Sequence, residues 1–131
     1  MASLIIMTHN HIGQELAIKE ALKSTHRFRV GCAVMAGKRE QSRGRNSLKT
    51  HSSISHAENN GLKRKTHAEI AALSKAHKFD TKDSTIYVAR LLKDCRIAMA
   101  KPCSKCMKII SDSGIKNVVY SINGGWEKIK V

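Results

Sequence analysis

Two short segments of the chain carry side chains that could bind one metal ion together. Residues 66–69 read Thr-His-Ala-Glu, and residues 102–106 read Pro-Cys-Ser-Lys-Cys. Cys103 and Cys106 are three positions apart, so on a helix they share one face and can hold the same ion. His67 adds an imidazole to this pair. Zinc is the usual metal for three ligands of these types, with a fourth position open to water.

A carboxylate accompanies the three candidate ligands. Glu69 lies two positions after His67, so the two side chains do not share one stripe of a helix. They can still converge, because helical side chains lean toward the helix N-terminus and first-turn residues reach an object just beyond it. A carboxylate beside a metal-activated water is what a hydrolytic proton shuttle requires. The spacing therefore predicts a hydrolytic centre in which Glu69 moves protons.

The order of these residues resembles the signature of a known family. H-A-E at residues 67–69 followed by P-C-x-x-C at residues 102–106 is similar to the zinc-dependent cytidine and deoxycytidylate deaminase superfamily. That superfamily also contains tRNA adenosine deaminases and polynucleotide-editing deaminases. The resemblance covers roughly residues 28–120, and residues 114–120 are similar to the deoxycytidylate branch.

The resemblance implies a fold and a reaction. The fold would be the cytidine deaminase-like α/β fold, with three layers, a mixed five-stranded sheet and helices on both faces. Zn²⁺ would be held by His67, Cys103 and Cys106, and Glu69 would move protons while water replaces the amine of a base. The predicted protein is a zinc-dependent hydrolase that converts cytosine to uracil in a small nucleoside or nucleotide. No organic cofactor is implied.

Three further positions are candidate substrate contacts. By resemblance, Asn46 would hydrogen-bond the substrate sugar, and backbone groups of Ala68 would help to hold the base. Asn46 has a second interpretation as a turn residue, because asparagine is common in turns. Arg45 adjoins Asn46 and carries a guanidinium, which can bind phosphate through two parallel hydrogen bonds. Arg45 is therefore the predicted cation for a nucleotide phosphate.

The H-A-E tripeptide occurs twice, and the residues after each copy distinguish them. Glu58 is followed by Asn-Asn-Gly, which breaks a helix, whereas Glu69 is followed by Ile-Ala-Ala-Leu, which builds one. Thr66 also offers an N-cap hydroxyl before the second copy. We therefore assign the metal ligand to His67 and predict that His56 is a loop residue.

Hydrophobic periodicity and helix breakers predict the elements that position these residues. The second strand is expected to be weak and exposed, because it is rich in arginine. Residues 92–101 form a predicted hairpin-like extension between the third strand and Pro102, which the usual family pattern lacks. This extension is expected to change the pocket wall, and with it the base that the pocket accepts. Pro102, the single proline, predicts a helix start at Cys103. Predicted helices cover residues 12–22 and 66–78, with a third from residue 103 to a stop at residue 114, and predicted strands cover residues 28–35, 40–47, 84–91, 117–122 and 126–131.

Length and composition limit the class of protein. A chain of 131 residues suits one domain, residues 1–131, that buries about two-thirds of its unfolded surface. The apolar run at residues 4–7 is too short for a secretion signal or a membrane span, which predicts a cytoplasmic protein with no membrane partner. Outside the metal motif, Cys32 and Cys95 are predicted to be packing cysteines, since a disulfide is disfavoured in that compartment.

Charge and aromatic content leave alternatives for the substrate. The net charge of +14, with many cations between residues 38 and 65, suits either a nucleotide phosphate or a nucleic-acid backbone. The aromatic residues are only two phenylalanines, two tyrosines and one tryptophan, and a single-strand binder usually uses several for base stacking. We therefore predict a small nucleoside or nucleotide substrate and a homo-oligomer.

Two other functions are compatible with the same residues. One is a polynucleotide deaminase that acts on a base in single-stranded DNA or tRNA. The other is a non-catalytic zinc-binding nucleic-acid module. A structural zinc site is normally closed by a fourth protein ligand, for which Cys95 is the candidate.

Overall fold

The computed structural model describes the backbone of residues 2–25, 28–47, 67–76 and 81–131, and the side chains of these residues from position 12 onward. The helices are α1 (Ala2–Lys23), α2 (Ala68–Ala76) and α3 (Ser104–Asp112), and α1 extends further toward the N-terminus than predicted. None of these helices, as far as the structure describes them, has the length and apolar composition needed to cross a membrane. The strands are β1 (Arg29–Ala36), β2 (Arg39–Arg45), β3 (Thr85–Leu91), β4 (Ile97–Ala98), β5 (Asn117–Ile122) and β6 (Gly125–Lys130).

One mixed sheet lies at the centre of the described structure. Its strand order is β2-β1-β3-β5-β6, and the two-residue β4 pairs with β3 off this path. β3 and β5 run parallel, which requires a crossover connection, and α3 lies in that connection. The predicted mixed α/β architecture is confirmed. The sixth strand, β4, belongs to the predicted extension, which folds back antiparallel onto Arg90 and Leu91 at the end of β3.

Because side chains alternate along the strands, the two faces of the sheet pack against different helices. Odd-numbered positions of the central strands, such as Ala33, are buried in a cluster with Ala17 of α1. Even-numbered positions, such as Val88, are buried in a second cluster with Ala72 of α2 and Ile110 of α3. The three layers with helices on both faces are therefore present, as predicted.

Two glycines let helices contact the sheet backbone directly. A Cβ atom at Gly31 would lie 2.1 Å from the carbonyl oxygen of Ala17 in α1. A Cβ atom at Gly44 would lie 2.4 Å from the backbone nitrogen of Ala72 in α2. No side chain fits at these distances, so each helix packs closer to the sheet than any other residue would allow. The contact at Gly44 bears on function, because α2 begins directly after His67.

β2 is an edge strand, but it is not wholly exposed as its composition predicts. Ser42 and Gly44 are buried, and the Ser42 hydroxyl donates a 2.7 Å hydrogen bond to the Ala72 carbonyl in α2. Arg43 and Arg45 alternate with them and contact α1 on the opposite face. The expectation of a wholly exposed strand was wrong, because the arginines lie on one face only. The other face of β2 is covered by α2, which is distant in sequence.

The two cysteines outside the metal motif lie in different environments. Cys32 is fully buried in β1, as expected for a packing cysteine. Cys95 is exposed in the turn before β4, with a φ angle of 69°. The packing prediction is therefore wrong for Cys95, because the extension folds as a hairpin whose turn faces solvent. All four cysteines of the chain are free thiols.

Replacing Gly44 with alanine tests the close contact between β2 and α2. Gly44→Ala should lower the free energy of unfolding by about 1–3 kcal/mol, because the added methyl group must displace the α2 backbone. Urea denaturation followed by circular dichroism measures the change. Gly125→Ala is the matched control, since a Cβ atom there meets only Ile122 side-chain atoms, at 3.8 and 3.9 Å. Equal stabilities of the two variants would show that α2 can move off the strand at no cost.

Candidate functional site

The three candidate ligands from the two sequence motifs meet in space. The ligand atoms of His67, Cys103 and Cys106 all lie within 4.8 Å of one another. The Cys106 sulfur is 3.4 Å from the Nδ1 nitrogen of His67. Tetrahedral zinc, with Zn–S of about 2.3 Å and Zn–N of about 2.0 Å, requires a sulfur–nitrogen separation of about 3.5 Å. The His67 Nδ1 and Cys106 Sγ atoms are therefore placed as zinc ligands would be.

Both motifs lie at helix N-termini. His67 immediately precedes α2, and its carbonyl accepts a 3.0 Å hydrogen bond from the N–H of Ala71. Cys103 is the N-cap of α3, as predicted, and its carbonyl accepts a 2.8 Å bond from the N–H of Met107. Cys106 follows in the first turn of α3. The positive ends of the two helix dipoles therefore lie at the ligand group, where they favour negative charge.

Groups that can carry negative charge are crowded around the buried thiol. Cys106 is only 1% exposed, and burial raises the pKa of its thiol. The charges of Glu69 and then Cys103 raise that pKa further. Two thiolates and a carboxylate at this range repel one another, and a bound divalent cation would offset the repulsion. The donor types, their separation and their charge therefore fit a zinc ion.

Glu69 lies beside the ligands in the first turn of α2. The residue is only 6% exposed, and burial raises the pKa of its carboxyl group to about 6, against the lowering effect of a hydrogen bond from its own backbone N–H. The pKa of the Cys32 thiol is raised by burial and then by the charge of Glu69, so β1 passes close to this carboxylate. A carboxyl group with a raised pKa is better suited to accept a proton and return it than one at its ordinary value.

A cavity of about 410 Å³ opens beside the ligands. His67 and Cys103 line it, whereas Cys106 and Glu69 are buried. Sites that bind one small molecule are typically clefts of about 300–1,000 Å³. The other lining residues come from the start of β1, the end of β3 and the extension, namely Phe28, Val30, Arg90, Met99, Ala100 and Lys101.

The extension forms one wall of this cavity. Residues 99–101 line it directly, and Arg90 lies where β4 folds back onto β3. The sequence drew attention to the extension through its extra length before Pro102, but it gave no sign that Arg90 and Lys101 face the ligands. Which residues of a hairpin face a cavity depends on how the hairpin folds back on the sheet, and local sequence does not report that.

One buried hydroxyl fixes this wall to the sheet. Ser121 of β5 is fully buried, and its hydroxyl donates a 2.7 Å hydrogen bond to the Ala98 carbonyl and accepts a 3.1 Å bond from the N–H of Arg90. The Ser121 carbonyl accepts a further 2.9 Å bond from the N–H of Ala100. The end of β3 and the extension are therefore both anchored to β5 through one residue.

Asn46 is buried, and its side chain bonds to the protein itself. Its Oδ1 atom accepts hydrogen bonds from the Ser24 hydroxyl at 2.6 Å and from the N–H of Val30 at 3.0 Å, and its Nδ2 atom donates to the Phe28 carbonyl. Phe28 and Val30 line the cavity. Asn46 therefore ties the end of α1 to a cavity wall, and its predicted contact with a substrate sugar stays a prediction.

Arg45 lies on the opposite face of the sheet from the candidate ligands. Its guanidinium pairs with Glu20 of α1 at 3.3 Å, and Arg43 contacts the same carboxylate at 3.9 Å. Burial alone would raise the pKa of Glu20, but Lys23, Arg43 and Arg45 together lower it. The structure does not bring Arg45 to the ligand group, because alternation along β2 turns position 45 toward α1 when Gly44 faces α2.

Several sequence predictions concern residues outside the described ranges. These are the first H-A-E copy with His56 and Glu58, the N-cap Thr66, and the part of the cation-rich stretch between residues 48 and 65. Ala68 is described as the buried first residue of α2, where N–H groups have no partner within the helix. Its predicted backbone contact with a base stays a prediction. Cys95 does not belong to the ligand group that the described residues form.

The fold and the site define a class of protein: an α/β protein with a His/Cys/Cys group able to hold zinc beside a buried carboxylate. A sequence model of the family described as "Cytidine and deoxycytidylate deaminase zinc-binding region" matches residues 7–122. The chain therefore belongs to this zinc-binding deaminase family, as the H-A-E and P-C-x-x-C resemblance implied. The sequence has no significant match among the curated proteins with which it was compared.

Solved structures with low sequence identity share the fold. A cytidine deaminase from Burkholderia pseudomallei is 21% identical, with a TM-score of 0.66 over 92% of this chain and 91% of that chain. A dCMP deaminase from the cyanophage S-TIM5 is 23% identical, with a TM-score of 0.62 over 85% of this chain and 80% of that chain. A structure from a study of tRNA deaminases that edit the wobble position is 24% identical, with a TM-score of 0.54 over 85% of this chain and 74% of that chain. The cytidine deaminase-like fold is therefore confirmed.

An acidic replacement at Asn46 distinguishes a positioning role from substrate binding. Asn46→Asp should lower the free energy of unfolding by about 1–3 kcal/mol, because it sets a carboxylate oxygen against the Phe28 carbonyl and leaves that carbonyl without its donor. Chemical denaturation measures the loss. Asn123→Asp makes the same change in the exposed turn between β5 and β6 and should be nearly neutral. A fully stable Asn46→Asp protein with only a raised KM would instead favour direct contact with substrate.

Proposed function

We propose that this protein is a zinc-dependent hydrolase that deaminates cytosine to uracil in a small nucleoside or nucleotide. The observation that carries the proposal is the convergence of His67, Cys103 and Cys106 next to buried Glu69, beside a cavity sized for one small molecule. Membership of the deaminase family supports the reaction class. The similarity to a cytidine deaminase and a dCMP deaminase supports cytosine as the base.

The proposed mechanism assigns one task to each residue. His67, Cys103 and Cys106 hold the ion, and zinc when bound supplies a Lewis acid that makes a water molecule a better nucleophile at neutral pH. Glu69 takes a proton from the attacking water, whose oxygen adds to the amine-bearing ring carbon. Glu69 passes this proton to the ring nitrogen, then takes the remaining proton of the added hydroxyl group and passes it to the departing amine. One water is consumed and one ammonia is released, so the protons balance.

A second candidate is a deaminase that acts on a base within a polynucleotide. The net charge of +14 favours it, and so does the likeness to a tRNA deaminase. Affinity for a single strand would fall with a slope of about −0.7 per contacted phosphate in a plot of log affinity against log salt. Ammonia release from zinc-loaded protein, assayed with cytidine, deoxycytidine, their monophosphates, single-stranded DNA and tRNA, separates the two functions and tests whether the chain is an enzyme.

Removing a candidate ligand tests the metal centre. The wild-type chain should contain one zinc, and Cys106→Ala should lose it together with much of the fold's stability, because ligand binding energy contributes to folding. Elemental analysis of the purified protein measures the zinc content. Cys95→Ala is the matched control, since this exposed cysteine lies outside the ligand group and its loss should leave the zinc content unchanged. Full zinc occupancy in Cys106→Ala would refute the assignment.

Neutralising the carboxylate tests the proton shuttle. Glu69→Gln should keep zinc and the fold but reduce turnover by about 100-fold or more, because an amide cannot exchange protons. Ammonia release and zinc content are measured together. Glu58→Gln makes the same change in the first H-A-E copy and should be nearly silent. The reverse result, a silent Glu69→Gln and an inactive Glu58→Gln, would show that the other copy is catalytic.

A further inference from the structure

Two cations line the cavity without a role in the reaction proposed at the zinc ligands. Arg90 lies near the end of β3, and Lys101 lies in the extension just before Pro102. Both line the same cavity as His67 and Cys103. The cavity therefore carries positive side chains from two different segments of the chain, on the side of the sheet that the candidate ligands occupy.

Neither cation is neutralised by a carboxylate of the described chain. The ion pairs formed by the described residues involve α1, β2 and the turn before β4, and they include neither Arg90 nor Lys101. The Nε atom of Arg90 is buried and has no hydrogen-bond partner within the same ranges. Buried donors are almost always satisfied, and an unmade bond costs free energy. The side chain as a whole is only partly buried and lines the cavity, so the rest of its guanidinium can be reached by an acceptor on a ligand, although the shielded Nε atom cannot.

The contacts of Arg90 hold its guanidinium at the cavity. Its Cζ atom lies 5.3 Å from the centre of the Phe28 ring, which is within range of a cation–π interaction. Its backbone N–H is bonded to the Ser121 hydroxyl. Contact with a ring face leaves the in-plane N–H groups of a guanidinium available as donors. Arg90 is thus oriented before any ligand binds, which reduces the entropy that binding would cost.

We propose that Arg90 and Lys101 form an anion subsite for the phosphate of a nucleoside monophosphate, so that the substrate is a nucleotide. This inference rests on the proposed deaminase function, because the subsite and the candidate zinc ligands share one cavity. A phosphate monoester carries about 1.5 to 2 negative charges at pH 7 and three acceptor oxygens. A guanidinium can bind two of those oxygens in parallel, and an ammonium adds a second positive charge.

The rest of the cavity suits the remainder of a nucleotide. Phe28 and Met99 line the cavity and are 45% and 50% exposed, so they offer apolar surface to a ribose or a base. A polynucleotide is less favoured here, because a polymer groove needs a series of cations and stacking aromatics along an open track. Among the residues that the structure describes, the cavity lining instead combines Arg90 and Lys101 with the single ring of Phe28.

Equilibrium binding of a product pair tests the subsite without turnover. Calorimetric titration of the zinc-loaded, full-length chain with deoxyuridine 5′-monophosphate and with deoxyuridine should show that the monophosphate binds about 10- to 100-fold more tightly. Arg90→Gln should remove most of this preference and leave deoxyuridine binding unchanged, and Arg90→Lys should restore part of it. Lys101→Ala should reduce the preference by about 2- to 5-fold, since this lysine is exposed. Lys108→Ala, an exposed lysine of α3 outside the cavity lining, should change nothing.

Each other outcome overturns the subsite in a distinct way. Equal affinity of the wild-type chain for the two ligands, or binding of neither, would exclude a phosphate subsite. Equal loss of both affinities in Arg90→Gln would mean that Arg90 contacts the base or the sugar. Binding of single-stranded DNA that depends on Arg90, without monophosphate binding, would favour a polymer substrate. If Arg90→Gln does not fold by circular dichroism, Lys101→Ala decides the question alone.

Failure of the proposed function gives a different result: no substrate releases ammonia, although the preference for the monophosphate persists.

Discussion

Mutual repulsion among Cys103, Cys106 and Glu69 is the constraint that the rest of the site must satisfy. Burial and the neighbouring negative charges raise the pKa of Cys106, so the thiolate form needs positive compensation nearby. The start of α3 and the start of α2 each supply part of it through their dipoles. A divalent ion supplies the remainder, and its binding energy then contributes to folding. The site therefore depends on holding two helix N-termini at a fixed separation.

Close packing on both faces of the sheet holds those helix starts in place. Gly44 lets the α2 backbone contact β2, and Gly31 lets α1 contact β1 in the same way on the other face. The two faces then carry different chemistry. On the α1 face, Glu20 pairs with Arg43 and Arg45 of β2, whereas the face covered by α2 and α3 holds the ligands and the cavity. Some cations of this basic chain therefore form ion pairs within the fold, and others stay available to a ligand.

The extension before Pro102 shows how a small insertion can create a binding wall. Its two-residue strand β4 pairs with the end of β3, and Ser121 anchors both segments to β5. This arrangement brings Lys101 and Arg90 into one cavity, although eleven positions separate them in the chain. Asn46 fixes another part of the lining, formed by Phe28 and Val30, through hydrogen bonds with Ser24, Phe28 and Val30. Hydrogen bonds within the protein therefore hold both of these parts of the cavity lining in place.

The sequence by itself determined the features that depend on local spacing. The C-x-x-C pair, the helix-building residues after Glu69 and the alternation in the strands act over a few residues, so five strands and a possible grouping of His67 with the C-x-x-C pair could be predicted. Only the tertiary structure decided which cations line the cavity beside the ligands. Arg45 was a reasonable expectation because it adjoins Asn46, but the strand turns it toward Glu20. Arg90 carried no local signal, since its exposure to the cavity follows from the return of β4 and from Phe28, which is distant in sequence. Whether a strand residue lies on the ligand side of the sheet or on the opposite side depends on which helices cover each face. Contacts between residues far apart in the chain determine that arrangement.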